Sequence, residues 1–359
     1  MQSHLTDASA VSEVPALRAL LREWALLEAG SEESIQFVRM AQAKLSLTQV
    51  VELAREVSYV RPLIPYPGWR FDADWNKPDL LYQMRRAIWE RFHSEALGYE
   101  FVLDWHPETK LAVRMGNDLS KQTYVGGCNE PNEMCFLANA LKPGMTFVDA
   151  GAMEGIYTVL AAHKVGADGH VYAFEPSGWE RQSLERNIEV NGFGQVKVFE
   201  SALSDADGEG MLRIADDEHC GQNTLGGFVF QGVRETGRMP VPLARLDTVA
   251  VAQGWTRLDY VKVDVEGAEM KLLQGAEETL DRFQPVIVFE AAEELLAKQG
   301  ASVGQLMDWF SRRDYLLYRF GPEGMLEPAA NGPADSMVAS PRNRPLTEPG
   351  GTREAICDQ

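Results

Sequence analysis

The sequence predicts an α/β fold: a mostly parallel, Rossmann-like sheet covered by helices, preceded by an N-terminal helical region. From residue 145 onward, short apolar runs rich in β-formers alternate with helix-forming segments. These runs are "MTFVDAG", "HVYAFEP", "QVKVFESAL", "YVKVDVEG" and "PVIVFEAAE". Such alternation is typical of a parallel sheet that is buried on both faces. Before about residue 95, apolar residues recur instead every three to four positions, which is the period of an amphipathic helix.

The remaining elements complete this organisation. "YEFVLDW" and "LAVRMGN" are predicted as two short strands around a turn, and "NEPNEMCFLANAL" as a helix that leads into the sheet. Residues 205–243 interrupt the rhythm with hairpin-like sequence, and "YLLYRF" and "DSMVAS" are predicted as the last two strands. We therefore expect a helical region at 1–95, a main α/β domain at 96–342 and a flexible tail at 343–359.

Composition and charge exclude several classes of protein. The chain has 359 residues and a formal net charge of −19, with 53 acidic against 34 basic side chains. This balance argues against binding to nucleic acid or to an anionic membrane surface. The four cysteines show no C-x-x-C pair, and the chain shows neither a signal peptide nor an apolar run of about 18 residues. We expect a soluble cytoplasmic protein without a membrane span.

The stretch "FVDAGAMEGIYT" (147–158) joins a predicted strand to a predicted helix through two glycines. Gly151 can adopt a positive φ and let a ligand approach the backbone, and Gly155 allows helix and strand to pack closely. The N-terminus of such a helix offers N–H groups to an anion. Because Met153 stands two residues after Gly151, the G-x-G-x-x-G dinucleotide fingerprint is absent. The looser spacing of Asp149, Gly151 and Gly155 favours S-adenosylmethionine (SAM) instead.

Glu175 ends the next predicted strand, "HVYAFEP", one βα unit later. A carboxylate at this point can accept hydrogen bonds from both hydroxyls of an adenosine ribose. Pro176 restricts the chain directly after it. An acid in this position also serves NAD, so Glu175 alone does not separate the two cofactors.

A second group of acidic residues lies in "YVKVDVEGAEMKLLQGA" (260–276). Strand alternation places Lys262 and Asp264 on one side, and both would be costly to bury unless they are paired or lie at the open end of the strand. Asp264, Glu266 and Glu269 then surround a glycine at the rim where the first glycine turn also opens. This pattern indicates a functional site.

Taken in order, these motifs resemble those of FkbM-type methyltransferases. The elements that carry the resemblance are "VDAGAMEGIYT", "VYAFEPS", Asn187 with Asn191, "ALSDADG", "RLD", "VKVDVEGAEMKLLQGA" and "PVIVFE". The resemblance covers about residues 130–342, and "KVDVEGAE" is its most specific part. It implies a class I SAM-dependent methyltransferase with a seven-stranded sheet and an antiparallel strand near one edge. It also implies O-methylation of a sugar or natural-product hydroxyl.

The resemblance also assigns roles to residues. It places Asp149 and Gly151 at the methionine part of SAM, Glu175 at the ribose and the turn at Ser201 and Ala202 at the adenine. Glu269 joins Asp264 and Glu266 at the junction of cofactor and acceptor. The full candidate cofactor-binding set is Asp149, Gly151, Ala152, Gly155, Thr158, Glu175, Pro176, Ser201, Ala202, Asp264 and Glu266.

Transfer of the activated methyl group to an alcohol needs a positioned acceptor and benefits from a general base. Asp264 is the first candidate base by position. His219, in the loop "ADDEHCGQNT", is the second, because its ordinary pKa suits proton transfer and the loop could fold over the site. Asp264, Glu266 and Glu290 are weak candidate ligands for Mg²⁺. A metal is not expected, because no Asp-Asp or Asp-Asn pair follows the strand that ends at Glu290.

Two other classes stay open at this point. Met153, where the family usually has asparagine, and the Glu154 that follows it leave room for a SAM-binding partner protein without catalysis. A nucleotide-dependent oxidoreductase is less favoured, because no Tyr-x-x-x-Lys pair is present. The N-terminal helices are candidates for a pocket cap, a homodimer interface or a docking site for a partner. The identity of the small-molecule or glycan acceptor does not follow from the sequence.

Overall fold

The computed structural model describes residues 86, 89–90, 100–105, 108–127, 130–320, 325–329 and 333–346. These residues fall into two compact units, the first comprising the described residues through 127 and the second those from 130 onward. Most of the predicted N-terminal helical region and of the predicted tail lies outside the described residues.

The first unit contains the predicted pair of short strands. Strand β1 (Glu100–Asp104) pairs antiparallel with β2 (Lys110–Arg114), as the sequence predicts. Helix α1 (Asp118–Gly126) follows, and the side chain of Asn117 caps it by accepting a hydrogen bond of 2.8 Å from the Ser120 backbone N–H. Such a cap satisfies one of the N–H groups that a helix leaves unpaired at its first turn.

The second unit is built from strands and helices in alternation. Its strands are β3 (Thr146–Ala150), β4 (His170–Phe174), β5 (Val196–Phe199), β6 (Ala202–Leu203), β7 (Gly208–Ala215), β8 (Glu235–Ala244), β9 (Tyr260–Val263), β10 (Val286–Glu290), β11 (Tyr315–Phe320), β12 (Leu326–Pro328) and β13 (Ser336–Pro341). Its helices are α2 (Pro131–Ala140), α3 (Ile156–Val165), α4 (Gly178–Asn191), α5 (Leu246–Ala252), α6 (Glu269–Gln274), α7 (Glu277–Phe283), α8 (Glu293–Lys298) and α9 (Val303–Arg312).

The main sheet has the strand order β12-β11-β13-β10-β9-β3-β4-β5. Strands β3, β4, β5, β9 and β10 pair in parallel, whereas β13 lies antiparallel between β10 and β11. The predicted mixed sheet is therefore confirmed, but the expected count of seven strands is wrong for this chain. The eighth, β12, pairs antiparallel with β11 at the edge. It spans three residues and ends in proline, so it carries almost no strand signal in the sequence.

A smaller sheet has the order β6-β8-β7. Strands β7 and β8 form a long antiparallel pair, which is the hairpin that the sequence predicts between 205 and 243. A 3₁₀ segment (Asp217–Gln222) lies in the connection between them. Because this connection is long, its residues can reach the main sheet, and their position bears on the site described below.

The core of the second unit lies on both faces of the main sheet. Strands β3 and β9 are buried along their whole length, as expected for central parallel strands. Phe289 on β10 packs against Phe310 on α9, with ring centroids 4.7 Å apart. Burying an aromatic side chain of this size contributes about 1.5–3 kcal/mol, so the central strands are held firmly. Within the described residues, no helix combines the length and the apolar character that a bilayer-spanning helix requires.

Candidate active site

A cleft opens at the carboxyl ends of β3, β4 and β9. The chain leaves β3 and β9 in opposite directions along the sheet, and such switch points are where open α/β sheets bind ligands. The cleft is lined by Gly151, Met153, Phe174, Glu175, Pro176, Glu180, Ser201, Ala202, Leu203, Leu212, Cys220, Gly221, Asn223, Leu225, Asp264, Val265, Glu266 and Ala268. Seven of the predicted site residues are in this set: Gly151, Glu175, Pro176, Ser201, Ala202, Asp264 and Glu266. The structure thus brings three separate sequence motifs to one cleft.

The glycines of the first turn are required by close packing as well as by backbone conformation. Gly151 has φ of +80°, and the backbone carbonyl of Asp264 occupies the position that a Cβ atom at this residue would take. Gly155 has φ of +86° and lies directly before α3, where a Cβ atom would come within 2.5 Å of Leu184 Cδ1. Neither position can carry a side chain without a shift of its neighbours.

The N–H groups of this turn are already engaged within the protein, which the sequence did not predict. The Gly151 and Ala152 N–H groups both donate to the carbonyl of Phe174, at 3.1 and 3.0 Å. The Gly155 N–H donates to the Ala152 carbonyl at 2.8 Å. The expected offer of N–H groups by the first turn of α3 (Ile156–Val165) stays a prediction, whereas these three N–H groups are not free for an anion. Their role is to fix the turn against the end of β4.

Glu175 lies at the end of β4 and is held by two backbone groups. Its Oε1 accepts a hydrogen bond from the Ser177 N–H at 2.8 Å, and its Oε2 accepts one from the Met153 N–H at 2.9 Å. The side chain is buried. Burial, together with the nearby carboxyl group of Glu180, raises the pKa of Glu175 to about 8. The carboxyl group is thus oriented rigidly and exchanges its proton near neutral pH.

Asp149 is buried beneath the turn at the end of β3. It accepts a hydrogen bond of 2.6 Å from the hydroxyl of Thr158, which is buried on α3. Burial raises the pKa of Asp149 to about 6. Asp149, Ala152, Gly155 and Thr158 are not among the residues that line the cleft, so their predicted contacts with a cofactor stay a prediction.

The acidic loop after β9 forms the opposite wall. Asp264 and Glu266 line the cleft, and Glu266 adopts a left-handed backbone conformation with φ of +51°. The Thr224 hydroxyl, from the β7–β8 connection, donates to the Glu266 carbonyl at 2.8 Å and so holds this strained residue in place. Burial and the neighbouring Asp264 and Glu269 raise the pKa of Glu266 well above its ordinary value.

Glu269 fixes the same loop from behind. Its Oε1 accepts hydrogen bonds from the backbone N–H groups of Val265 and Gly267, at 3.2 and 3.1 Å. Burial raises its pKa to about 7. Glu269 is buried and does not line the cleft. Its contacts are structural, so the predicted place at the cofactor–acceptor junction stays a prediction.

Lys262 is the buried cation beside this loop. Its Nζ lies 2.7 Å from Asp264 Oδ2 and 3.7 Å from Glu130 Oε2, and it stands 4.6 Å from the centre of the Tyr157 ring. The Tyr157 hydroxyl donates to Glu130 at 2.8 Å. Burial alone would lower the pKa of Lys262, but the carboxylates of Asp264 and Glu130 outweigh it and raise the pKa. Of the two alternatives that the sequence left open for Lys262 and Asp264, the structure shows the paired arrangement.

Glu290 ends β10 at the same rim of the sheet. Its Oε2 is buried and has no hydrogen-bond partner among the described residues. Burial and the carboxyl groups of Asp264, Glu266 and Glu269 raise its pKa to about 10. Within the described part of the chain, no group of three or more His, Cys, Asp or Glu side chains is arranged to hold a metal ion. The weak metal candidates Asp264, Glu266 and Glu290 thus do not form such a group here.

His219 lies in the β7–β8 connection but outside the cleft lining. Its Nδ1 shares a hydrogen bond of 2.8 Å with Asp216 Oδ1. The residues that follow it do reach the cleft: Cys220, Gly221, Asn223 and Leu225. Part of this connection therefore lines the cleft, whereas His219, the second candidate base, does not.

Several residues in the cleft and around Lys262 carry no sequence motif that predicts their position. Leu212 and Leu225 come from the hairpin and its connection, and neither carries a motif. Glu130 and Tyr157 meet Lys262 from two helical segments that are far apart in the sequence. A buried lysine in a predicted strand was the only signal that pointed to partners of this kind.

The strand order and the position of the cleft are those of a class I methyltransferase-like fold. Residues 149–317 match the family model of the Methyltransferase FkbM domain. This part of the chain therefore matches an FkbM methyltransferase domain, and the resemblance inferred from the sequence is confirmed.

Two curated proteins and one solved structure are among the proteins similar to this chain. A protein named Methyltransferase 1, from Beauveria bassiana (strain ARSEF 2860), is 24% identical over 234 residues, which are 58% of this chain and 90% of that protein. The AMB antimetabolite synthetase AmbE from Pseudomonas aeruginosa is 28% identical over 196 residues, which are 46% of this chain and 9% of that protein. The crystal structure of methyltransferase FkbM from Methylobacillus flagellatus KT matches with 14% identity and a TM-score of 0.35, covering 72% of this chain and 59% of that chain.

The family implies SAM as the methyl donor, and the cleft suits such a molecule. SAM carries a sulfonium cation, and among the described lining residues four are carboxylic acids while none has a basic side chain: Glu175, Glu180, Asp264 and Glu266. Gly151 also lines the cleft. Glu175 presents a fixed carboxyl group at the strand end where a ribose diol is expected.

Proposed function

We propose that this chain is a SAM-dependent O-methyltransferase that methylates a hydroxyl group of a sugar or natural-product acceptor. The observation that carries the proposal is the convergence of three motifs on one cleft. The glycine turn, Glu175 and the acidic loop at Asp264 are separated by long stretches of sequence, yet all three line it.

On the donor side, Glu175 would hold the ribose hydroxyls, while Ser201 and Ala202 would contact the adenine. Two backbone N–H groups already orient the Glu175 carboxyl group, so binding requires little rearrangement. SAM supplies a methyl group that is already activated. The protein therefore needs mainly to bind, to orient the acceptor and to exclude water.

On the acceptor side, Asp264 would accept the proton of the attacking hydroxyl. Its carboxylate lines the cleft, is 27% exposed and is oriented by Lys262 at 2.7 Å. A positioned base of this kind typically contributes about 10²–10⁴-fold to the rate. Because His219 binds Asp216 away from the cleft, Asp264 is the preferred base.

The acidic side chains that line the cleft favour an acceptor without negative charge. An acceptor with a carboxylate or phosphate beside the reacting hydroxyl would meet acidic side chains and, among the described lining residues, no basic one. A neutral polyol or polyketide-like hydroxyl compound fits better. One relative is named an antimetabolite synthetase, which supports an acceptor from natural-product assembly.

Calorimetric titration tests the proposal. Purified protein is titrated with SAM, with S-adenosylhomocysteine (SAH) and with NAD, and SAH formation is then followed with a panel of neutral sugars and hydroxylated natural products. We expect 1:1 binding of SAM and SAH, no binding of NAD, and turnover with a neutral hydroxyl compound. Binding of NAD alone would indicate an oxidoreductase. SAM binding without turnover across the panel would favour a catalytically idle SAM-binding protein.

A further inference from the structure

We infer that Lys262 is a positioning residue that neutralises Asp264 and keeps its carboxylate from forming an ion pair with the sulfonium of the methyl donor. This inference rests on the proposed function. It assigns to a buried cation a task that neither the acidic motif nor the family match describes: control of charge at the point of methyl transfer.

The geometry makes Lys262 the partner of one cleft residue in particular. Its Nζ lies a full ångström closer to Asp264 than to Glu130, at 2.7 against 3.7 Å. The ammonium is 5% exposed, whereas the carboxylates of Asp264 and Glu130 are 27% and 30% exposed. The cation is therefore confined beneath the wall, and Asp264 extends from it to the cleft. The buried ammonium of Lys262 is thus placed to orient the Asp264 carboxylate and not to contact a ligand in the cleft itself.

Several elements surround Lys262 with acidic groups. Glu130 and Glu133 approach from the start of α2, Asp149 from β3, and Glu266 and Glu290 from the ends of β9 and β10. The Tyr157 ring on α3 covers the ammonium at 4.6 Å, and its hydroxyl binds Glu130 at 2.8 Å. Glu130 thus accepts a hydrogen bond from Tyr157. Lys262 donates its hydrogen bond to Asp264.

The pair of Lys262 and Asp264 affects the methyl transfer through its charge. Methyl transfer discharges the sulfonium, so a carboxylate that binds this cation strongly stabilises the ground state more than the transition state and slows the reaction. A carboxylate is nevertheless needed nearby to accept the proton of the hydroxyl. Pairing it with a buried lysine orients this carboxylate and reduces its attraction for the sulfonium.

Binding measurements test this without a known acceptor. The dissociation constants of SAM, a cation at sulfur, and SAH, a neutral thioether, are measured by calorimetry at pH 7.5, and their ratio Kd(SAH)/Kd(SAM) is compared among variants. In Lys262→Met, Asp264 loses its cation, and we expect the ratio to rise about tenfold in favour of SAM. In Asp264→Asn, the lysine is left uncompensated, and we expect the ratio to fall about tenfold.

Two further variants separate charge from packing. Lys262→Arg keeps the charge and should return the ratio close to that of the wild type. Glu130→Gln removes a competing partner of the lysine and should not raise the ratio. If Lys262→Met fails to fold, the inference is still tested by the ratio Kd(SAH)/Kd(SAM) in the other variants. This ratio should fall in Asp264→Asn and stay close to the wild-type value in Lys262→Arg. Equal changes in both dissociation constants, or a ratio that does not move, would overturn it. A wild-type protein that binds neither SAM nor SAH would instead overturn the proposed function.

Discussion

The backbone carbonyl of Asp264 fills the space that a side chain on Gly151 would need. This contact joins the turn after β3 to the turn after β9, which are the two walls of the cleft. The glycine is therefore required by the second motif, 113 positions further along the chain, as much as by its own turn. The two walls form one packed unit.

Gly151→Ala should destabilise the protein by at least about 3 kcal/mol, because the new Cβ meets a backbone group and the residue has φ of +80°. Gly144→Ala is the matched control. Gly144 has φ of +79° but open space around its Cβ position, so its cost should be near 1 kcal/mol. Urea denaturation of the two variants measures the difference. Similar costs for both would show that the contact with Asp264 is not tight in solution.

Glu175 should make SAM affinity depend on pH. Burial raises its pKa to about 8, so below pH 8 a proton must leave before the carboxylate can accept both ribose hydroxyls. The association constant should therefore rise with pH, by up to about tenfold per unit between pH 6 and 8, and level off above that. Glu175→Gln should bind at least about tenfold more weakly at pH 8, with a flat profile over this range. A wild-type profile as flat as that of the variant would contradict this role.

Asp264 should affect turnover more than binding. We expect Asp264→Asn to lower kcat by about 10²-fold or more, because the hydroxyl of the acceptor loses its base. The loss of SAM affinity should stay near tenfold. Steady-state kinetics with an acceptor found in the hydroxyl panel measures the first value, and calorimetry the second. An unchanged kcat would show that another group accepts the proton.

Glu290 should make stability depend on pH. Its pKa rises from an ordinary 4.5 to about 10 on folding, so the folded state retains a proton that the unfolded chain releases. The native state therefore binds more protons between these values, and stability falls as pH rises through this window. Glu290→Gln needs no such proton and should raise the melting temperature by about 2–4 °C at pH 8.5, but by much less at pH 5.5. The exposed Glu294→Gln is the control and should show no such difference between the two pH values. A gain for Glu290→Gln that is equal at both pH values would contradict the assignment.

Much of this arrangement follows from local sequence. The central strands, the glycine turn, the acid at the end of β4 and the pairing of Lys262 with Asp264 all depend on short-range patterns, because strand period and turn chemistry act within a few residues. The remaining features depend on tertiary packing. Tyr157 and Glu130 reach Lys262 only after two helical segments dock on the sheet, and Leu225 reaches the cleft through a long connection. Periodicity carries no information about such contacts.

Even the motif residues were only partly predictable. The spacing around Gly151 indicated a turn, but not that the N–H groups of Gly151 and Ala152 donate to Phe174. His219 illustrates the converse: its loop does reach the cleft, yet the imidazole binds Asp216 outside the lining. The sequence indicated where this loop lies, but not the direction in which the His219 side chain points.

A crystal structure of this protein with SAH tests the account most directly. We predict that the ribose hydroxyls lie within hydrogen-bond distance of the Glu175 carboxylate and that the thioether sulfur lies between Gly151 and Asp264. A nucleoside bound elsewhere, or bound in this cleft with its ribose away from Glu175, would contradict it.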